Sequence, residues 1–170
     1  MFASGAYTAN GPYVSSTVLM VNNRLYVGKP FVIRKRRTFS RIAINHISGL
    51  SSTGVIRLGL YVPTEADGLP GALLAEYGTV DATTAAAIKP VTTTITLDPG
   101  VYFPACVWQG TGTAPTVAGV SNALPPIYPD PYAPGSGNTM PMHTAQSGAM
   151  PDPFTSNAAA NTSPVIYLYV

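Results

Sequence analysis

Along most of the chain, hydrophobic and polar residues alternate with a period of two, broken at short intervals by turn residues. Residues 38–47, TFSRIAINHI, set Ile42, Ile44 and His46 on one parity and Arg41, Ala43 and Asn45 on the other. Successive side chains of a strand point to opposite faces, so this run predicts a half-buried β-strand. Residues 55–62 repeat the pattern, with Ile56, Leu58, Leu60 and Val62 against Val55, Arg57, Gly59 and Tyr61. Residues 88–97 do so with threonine: Val91, Thr93, Ile95 and Leu97 alternate with Thr92, Thr94 and Thr96. The turn signal Asp98-Pro99-Gly100 makes VYFPACVW at 101–108 the expected hairpin partner of that strand. Pro104 inside this run predicts an edge position or a bulge.

Shorter β-prone runs at 17–22, 24–27, 31–33, 73–77 and 78–80 surround the turn signals Asn22-Asn23 and Gly28-Lys29-Pro30. Leu69-Pro70-Gly71 suits a type II turn, proline setting φ and glycine supplying the positive φ that follows. Eight to ten strands are expected, with no helix beyond one turn at 82–87. The expected organisation is a single all-β domain over 1–170, with an N-terminal extension at 1–16.

Residues 121–163 break the pattern. They hold eight prolines, two charges (Asp130 and Asp152) and three of the five methionines. So long a segment without periodicity, an arm or loop, is expected to be functional, partner-bound or disordered. The strand-like PVIYLYV at 164–170 then returns to the sheet, because an unpaired strand of that composition would invite aggregation.

Composition sharpens the class. Charged residues make up 9% of the chain, against about 25% in an average soluble domain. Hydrophobic content is 46%, and Gly (16) and Pro (17) are abundant. A helical bundle needs Glu, Lys, Arg and Leu on its faces, and a disordered chain combines low hydrophobicity with high net charge. Neither description fits. Lys, Glu and Asp are the residues depleted at protein contacts, so a surface this poor in them resembles an interface. No basic-then-apolar leader and no long apolar run is visible, so neither a signal peptide nor a membrane span is expected.

Candidate chemistry is sparse. His46 and His143 lie far apart, and the single cysteine, Cys106, has no histidine at a useful spacing. Neither a catalytic triad nor a zinc site is predicted. Glu65 and Asp67 share a turn that lacks the further carboxylates of a calcium site. No enzyme activity, cofactor or metal is expected. Arg34, Lys35, Arg36, Arg37 and Arg41 concentrate five of the nine basic residues within eight positions. They read either as a solvated loop or as a contact patch for an acidic protein surface. The net charge of only +2 and the absence of interleaved aromatics speak against nucleic acid. Tyr102, Cys106 and Trp108 share one face: core if buried, a platform for a sugar if exposed.

Arg57 to Pro63 (RLGLYVP), the acidic turn, DGLPGALLAEYGTVDA from Asp67 to Ala82, the threonine-rich VTTTITL and DPGVYFPACVW follow one another in order. This succession resembles a jelly-roll module of tailed-bacteriophage virion proteins: head decoration proteins, head fibres and tail receptor-binding proteins. The resemblance covers roughly residues 31–120 and rests on turns and strand order. It implies an antiparallel β-sandwich of jelly-roll type without catalysis, located in the virion and made in the host cytoplasm. The stand-alone domain and its arm favour a capsid decoration, or cement, protein, binding the major capsid protein or other virion proteins and expected as a homotrimer. Contacts are then assigned to Arg34, Lys35, Arg36, Arg37 and Arg41, and to Tyr128, Tyr132, Met140, Met142 and Phe154 of the arm. The alternative is a receptor- or carbohydrate-binding module at a tail or head-fibre tip, with a glycan as partner.

Overall fold

The computed structural model describes residues 6–8, 16–121 and 140–170. Their strands are β1 (Ala6–Thr8), β2 (Ser16–Leu19), β3 (Leu25–Val27), β4 (Phe31–Ile33), β5 (Arg37–Ser48), β6 (Ser51–Pro63) and β7 (Pro70–Asp81). The chain continues through β8 (Ala87–Leu97), β9 (Gly100–Gly112), β10 (Thr116–Ser121), β11 (Met140–His143), β12 (Ala158–Ala160), β13 (Thr162–Pro164) and β14 (Ile166–Tyr169). No helix occurs among the described residues. All pairings are antiparallel and form two sheets of seven strands, a β-sandwich.

The first sheet is built on β5, flanked by β8 on one side and by β10 and β14 on the other. β10 meets β5 at Val117↔His46, and the two then diverge. The C-terminal strands enter this fork: β13 pairs with β10 and β14 with β5. The expected return of the last strand is thus realised. β1 adds to β14, and β2 to β10. The second sheet runs β12-β11-β3-β9-β6-β7, with β4 also on β9.

Between the sheets lie Phe39, Ile42, Ile44, Ile95, Leu97, Val117, Ile166 and Leu168 from the first, and Tyr26, Ile56, Leu58, Leu60, Tyr102, Cys106 and Trp108 from the second. The period-two faces of β5 and β6 point where the sequence places them. Burial of this kind, at roughly 25 cal/mol per Å² of apolar surface, drives the collapse.

Three local expectations are corrected. β8 and β9 are not a hairpin: β8 pairs with β5, whereas β9 pairs with β6, β3 and β4. The Asp98-Pro99 turn carries the chain from one sheet to the other, and Tyr102 locks it by donating its hydroxyl to Asp98 O at 2.9 Å. Pro104 lies in a central strand. Its carbonyl accepts the Gly28 N–H at 2.7 Å, and the donor it lacks falls at the interruption between β3 and β4, where no ladder bond is lost. Finally, the positive φ sits at Gly68 (71°), not at Gly71, and Pro70 already begins β7. Gly71 is needed for space, since a Cβ there would come within 2.6 Å of the Thr64 methyl.

A second hydrophobic cluster covers the outer face of the second sheet. Leu25, Val27, Tyr61, Phe103, Ala105 and Val107 are capped there by Met150 and Phe154 from the segment between β11 and β12. Polar bonds fasten this strap. Arg57 Nη1 pairs with Glu76 Oε1 at 2.5 Å, and Glu76 Oε2 accepts the Met150 N–H at 3.0 Å. Arg57 Nε donates to Gln109 Oε1, while Gln109 Nε2 donates to the carbonyls of Gln146 and Gly148 at 2.9 and 2.7 Å. The Tyr61 hydroxyl donates to Pro151 O at 2.9 Å, and its pKa is driven well up by burial, with Asp152 and Glu76 adding. The described part of the expected arm is therefore folded onto its own sheet. Deleting 121–163 would remove β11, β12 and the caps of a core, so the sandwich is not expected to fold without it.

Candidate interaction surface

β4 belongs to the second sheet and β5 to the first, and facing sheets lie about 10 Å apart. The chain must cross that distance at one end of the sandwich within residues 34–36. The pairings Ile33↔Gly100 and Arg37↔Leu97 fix the two ends of the crossing. A crossing at the rim has no interior to enter, and Arg34, Lys35, Arg36 and Arg37 are all exposed. Asp98, in the adjacent corner, is 3.6 Å from Arg36 Nε, with both side chains more than two-thirds exposed. Such a solvated pair contributes little, so the rim keeps a clear positive excess.

Arg41 extends this surface onto the outer face of the first sheet. It is exposed, and its guanidinium carbon sits 5.3 Å from the centroid of the Tyr169 ring. In β14, Ile166 and Leu168 enter the core, so alternation turns Tyr167 and Tyr169 outward. Their rings are 6.5 Å apart at 37°, and Ser40 Oγ donates to Tyr169 O at 3.3 Å. The register Tyr169↔Arg41 creates the cluster. Guanidinium over tyrosine is worth about 0.5–1 kcal/mol at an exposed site. Arg and Tyr are also the side chains that anchor protein contacts. The patch comprises five basic side chains and two half-exposed tyrosines, with one acid beside them.

The other predicted contact residues do not join it. Met142 and Phe154 are buried in the protein's own cores, and Met140 is half-buried against the second cluster. Burial by the chain itself leaves Met142 and Phe154 no surface for a partner, which corrects their assignment. Tyr128 and Tyr132 lie outside the described residues. Tyr102 and Trp108 are core residues, 8% and 3% exposed, so neither offers a ring face to a sugar.

The reactive side chains are likewise engaged. His46 is buried, with Nε2 2.6 Å from Gly49 O; His143 Nδ1 is 2.6 Å from Thr155 O. Burial pushes the Cys106 thiol far up, away from the thiolate a nucleophile requires. Asp67 accepts the Thr64 hydroxyl and the Leu69 N–H, bonds that hold its carboxyl below the usual range and close the turn. Among the described residues, no group of three or more His, Cys, Asp or Glu could hold a metal ion, and no helix is long and apolar enough to cross a membrane.

Sequence reasoning found the basic run and missed its tyrosines. The available signal was the alternation IYLY at 166–169, which leaves both tyrosines on the polar parity; that they meet Arg41 depends on strand register. Compared with known proteins, the chain matches no protein-family model and shows no significant similarity to any curated sequence.

Proposed function

We propose that this chain is a non-enzymatic structural protein of a tailed-phage virion, of the capsid decoration type, that docks on an acidic face of the shell through its basic rim and the Arg41–Tyr169 cluster. The observation that carries the proposal is the segregation of charge. In a chain with only nine basic residues, five are exposed within positions 34–41, and the last of them, Arg41, lies over the outward Tyr169 ring. The succession of turns and strands over 57–108 supports the virion assignment and the jelly-roll type of sandwich. The rigid two-sheet body supplies a fixed platform, the cations steer the approach, and the tyrosines supply contact area. The strap takes no part in docking.

The test is co-sedimentation with purified heads lacking the protein, over a salt series. The variant replaces Arg34, Lys35, Arg36 and Arg37 with serine. If each rim charge contributes about 0.5 kcal/mol at low salt, the loss is about 2 kcal/mol, roughly 30-fold in affinity, shrinking as salt rises. Unchanged affinity together with an unchanged salt profile would remove the rim from the interface.

A further inference from the structure

β9 runs the length of the second sheet. Gly100 pairs with Ile33 at one end and Gly112 with Ser51 at the other, about 40 Å apart at ~3.3 Å per residue. The two ends of the sandwich differ in chemistry. Beside Gly100, the connections 34–36, 64–69 and 98–99 carry Arg34, Lys35, Arg36, Glu65, Asp67 and Asp98. Around Gly112, the stretches 19–23, 47–53 and 110–116 carry no Asp, Glu, Lys or Arg, and Arg24 and Asp81 only border them. Yet this uncharged end shows four of the eight large hydrophobic side chains left exposed among the described residues: Leu19 at 62%, Val21 at 43%, Ile47 at 37% and Leu50 at 54%. Exposed apolar side chains gathered in one place mark a contact surface.

The surface holds both a groove and a knob. The groove, of about 420 Å³, takes its apolar lining from Leu19, Met20, Val21, Trp108 and Ala114. Of its polar residues, Asn22 Oδ1 accepts the Gly110 N–H and the Thr111 hydroxyl meets that of Thr53, each at 3.0 Å. The knob is Leu50, in the turn between β5 and β6, which lies against the same wall: Ser51 pairs with Gly112, and Ser51 Oγ donates to Thr113 O at 3.3 Å. Knob and groove on one face can meet only across two molecules. We infer that this end is a contact between two copies of the chain, the Leu50 turn of each seated in the groove of the other about a two-fold axis. A second copy supplies both halves at once, and the uncharged stretches set no like charges against each other. The contact is isologous, so it closes at a dimer. It lies at the end opposite the basic rim and is independent of the docking proposed above.

The experiment is analytical ultracentrifugation of the full chain and of Leu50→Glu, in the knob, and Leu19→Lys, in the groove, alone and mixed. Both side chains are more than half exposed, so neither variant disturbs a core. The parent is expected to dimerise in the micromolar range. Each variant alone sets a charge against an apolar partner at both halves of the contact and should weaken dimerisation about tenfold or more. The equimolar mixture should recover it, because the mixed dimer keeps one native knob in one native groove and pairs Glu with Lys at the other. A monomer at every concentration, a trimer, or open-ended aggregation in the parent overturns the inference. So does a mixture that dimerises no better than its components. The variant with serine at 34–37 should dimerise as the parent does, which separates this contact from shell docking. Far-UV circular dichroism of the variants verifies the fold and keeps a folding failure distinct from a lost contact.

Discussion

The strap across the second sheet is part of the cooperative fold, and Phe154→Ala tests this most directly. Phe154 is 8% exposed and meets Tyr61 edge-on, with centroids 5.5 Å apart at 71°. Removing a nearly buried phenyl forfeits about 2–3 kcal/mol of transfer free energy. The edge-to-face contact adds about 1 kcal/mol. The site lies at the margin of a cluster open to solvent on one side, so part of the cavity collapses or fills with water. The net loss is placed at about 3 kcal/mol, the low end for Phe→Ala in a core. A domain of this size has roughly 5–15 kcal/mol in total, so the variant stays folded and measurable. Urea unfolding followed by Trp108 fluorescence is the assay, because Trp108 lies in the other core, between the sheets. With a urea dependence near 2 kcal/mol/M, the midpoint should fall by about 1.5 M with the slope unchanged. Phe154→Leu should cost only about 1 kcal/mol. If Phe154→Ala loses less than about 0.5 kcal/mol, or Trp108 does not sense the change, the strap is a separate unit and the reasoning fails.

Two further outcomes are expected. A Cβ at Gly110 would press on the Thr53 carbonyl oxygen and lie 2.8 Å from Trp108 Nε1; Gly110→Ala should therefore cost about 2–3 kcal/mol. Gly148→Ala meets no atom within 4 Å and suffers only its φ of +86°, about 1 kcal/mol; equal losses in urea titration would refute the steric account. Asp81 is held down at about 2 by the Thr83 N–H first, then by the Thr83 and Thr84 side chains. Its folded value lies below the unfolded one, near ~3.9, so its stabilisation is complete above the latter and is lost as pH falls through about 2. Asp81→Asn should flatten stability between those limits, and an acid limb identical to the parent's would count against it.

How much of this protein was legible in its sequence depends on the range over which each feature is decided. Strand faces are local: the parity of Ile42, Ile44 and His46, or of Ile56, Leu58 and Leu60, is written into neighbouring residues, and all are buried as that parity requires. The all-β class and the exposed basic run follow from similarly local facts, since four adjacent cations cannot be buried without partners. Partnership between strands is non-local. The turn Asp98-Pro99-Gly100 reads equally well as a hairpin or as a corner, and only packing of both sheets decided for the corner. The outer face of β6 carries Gly59 and Tyr61, which alternation assigns to solvent; it is covered because Met150 and Phe154, some ninety residues later, find the opening that Gly59 leaves. Likewise, Arg41 and Tyr169 form one surface solely through the register of β14 on β5. Local periodicity determined which way each side chain points; long-range burial, settled only when the whole chain collapses, decided what it meets.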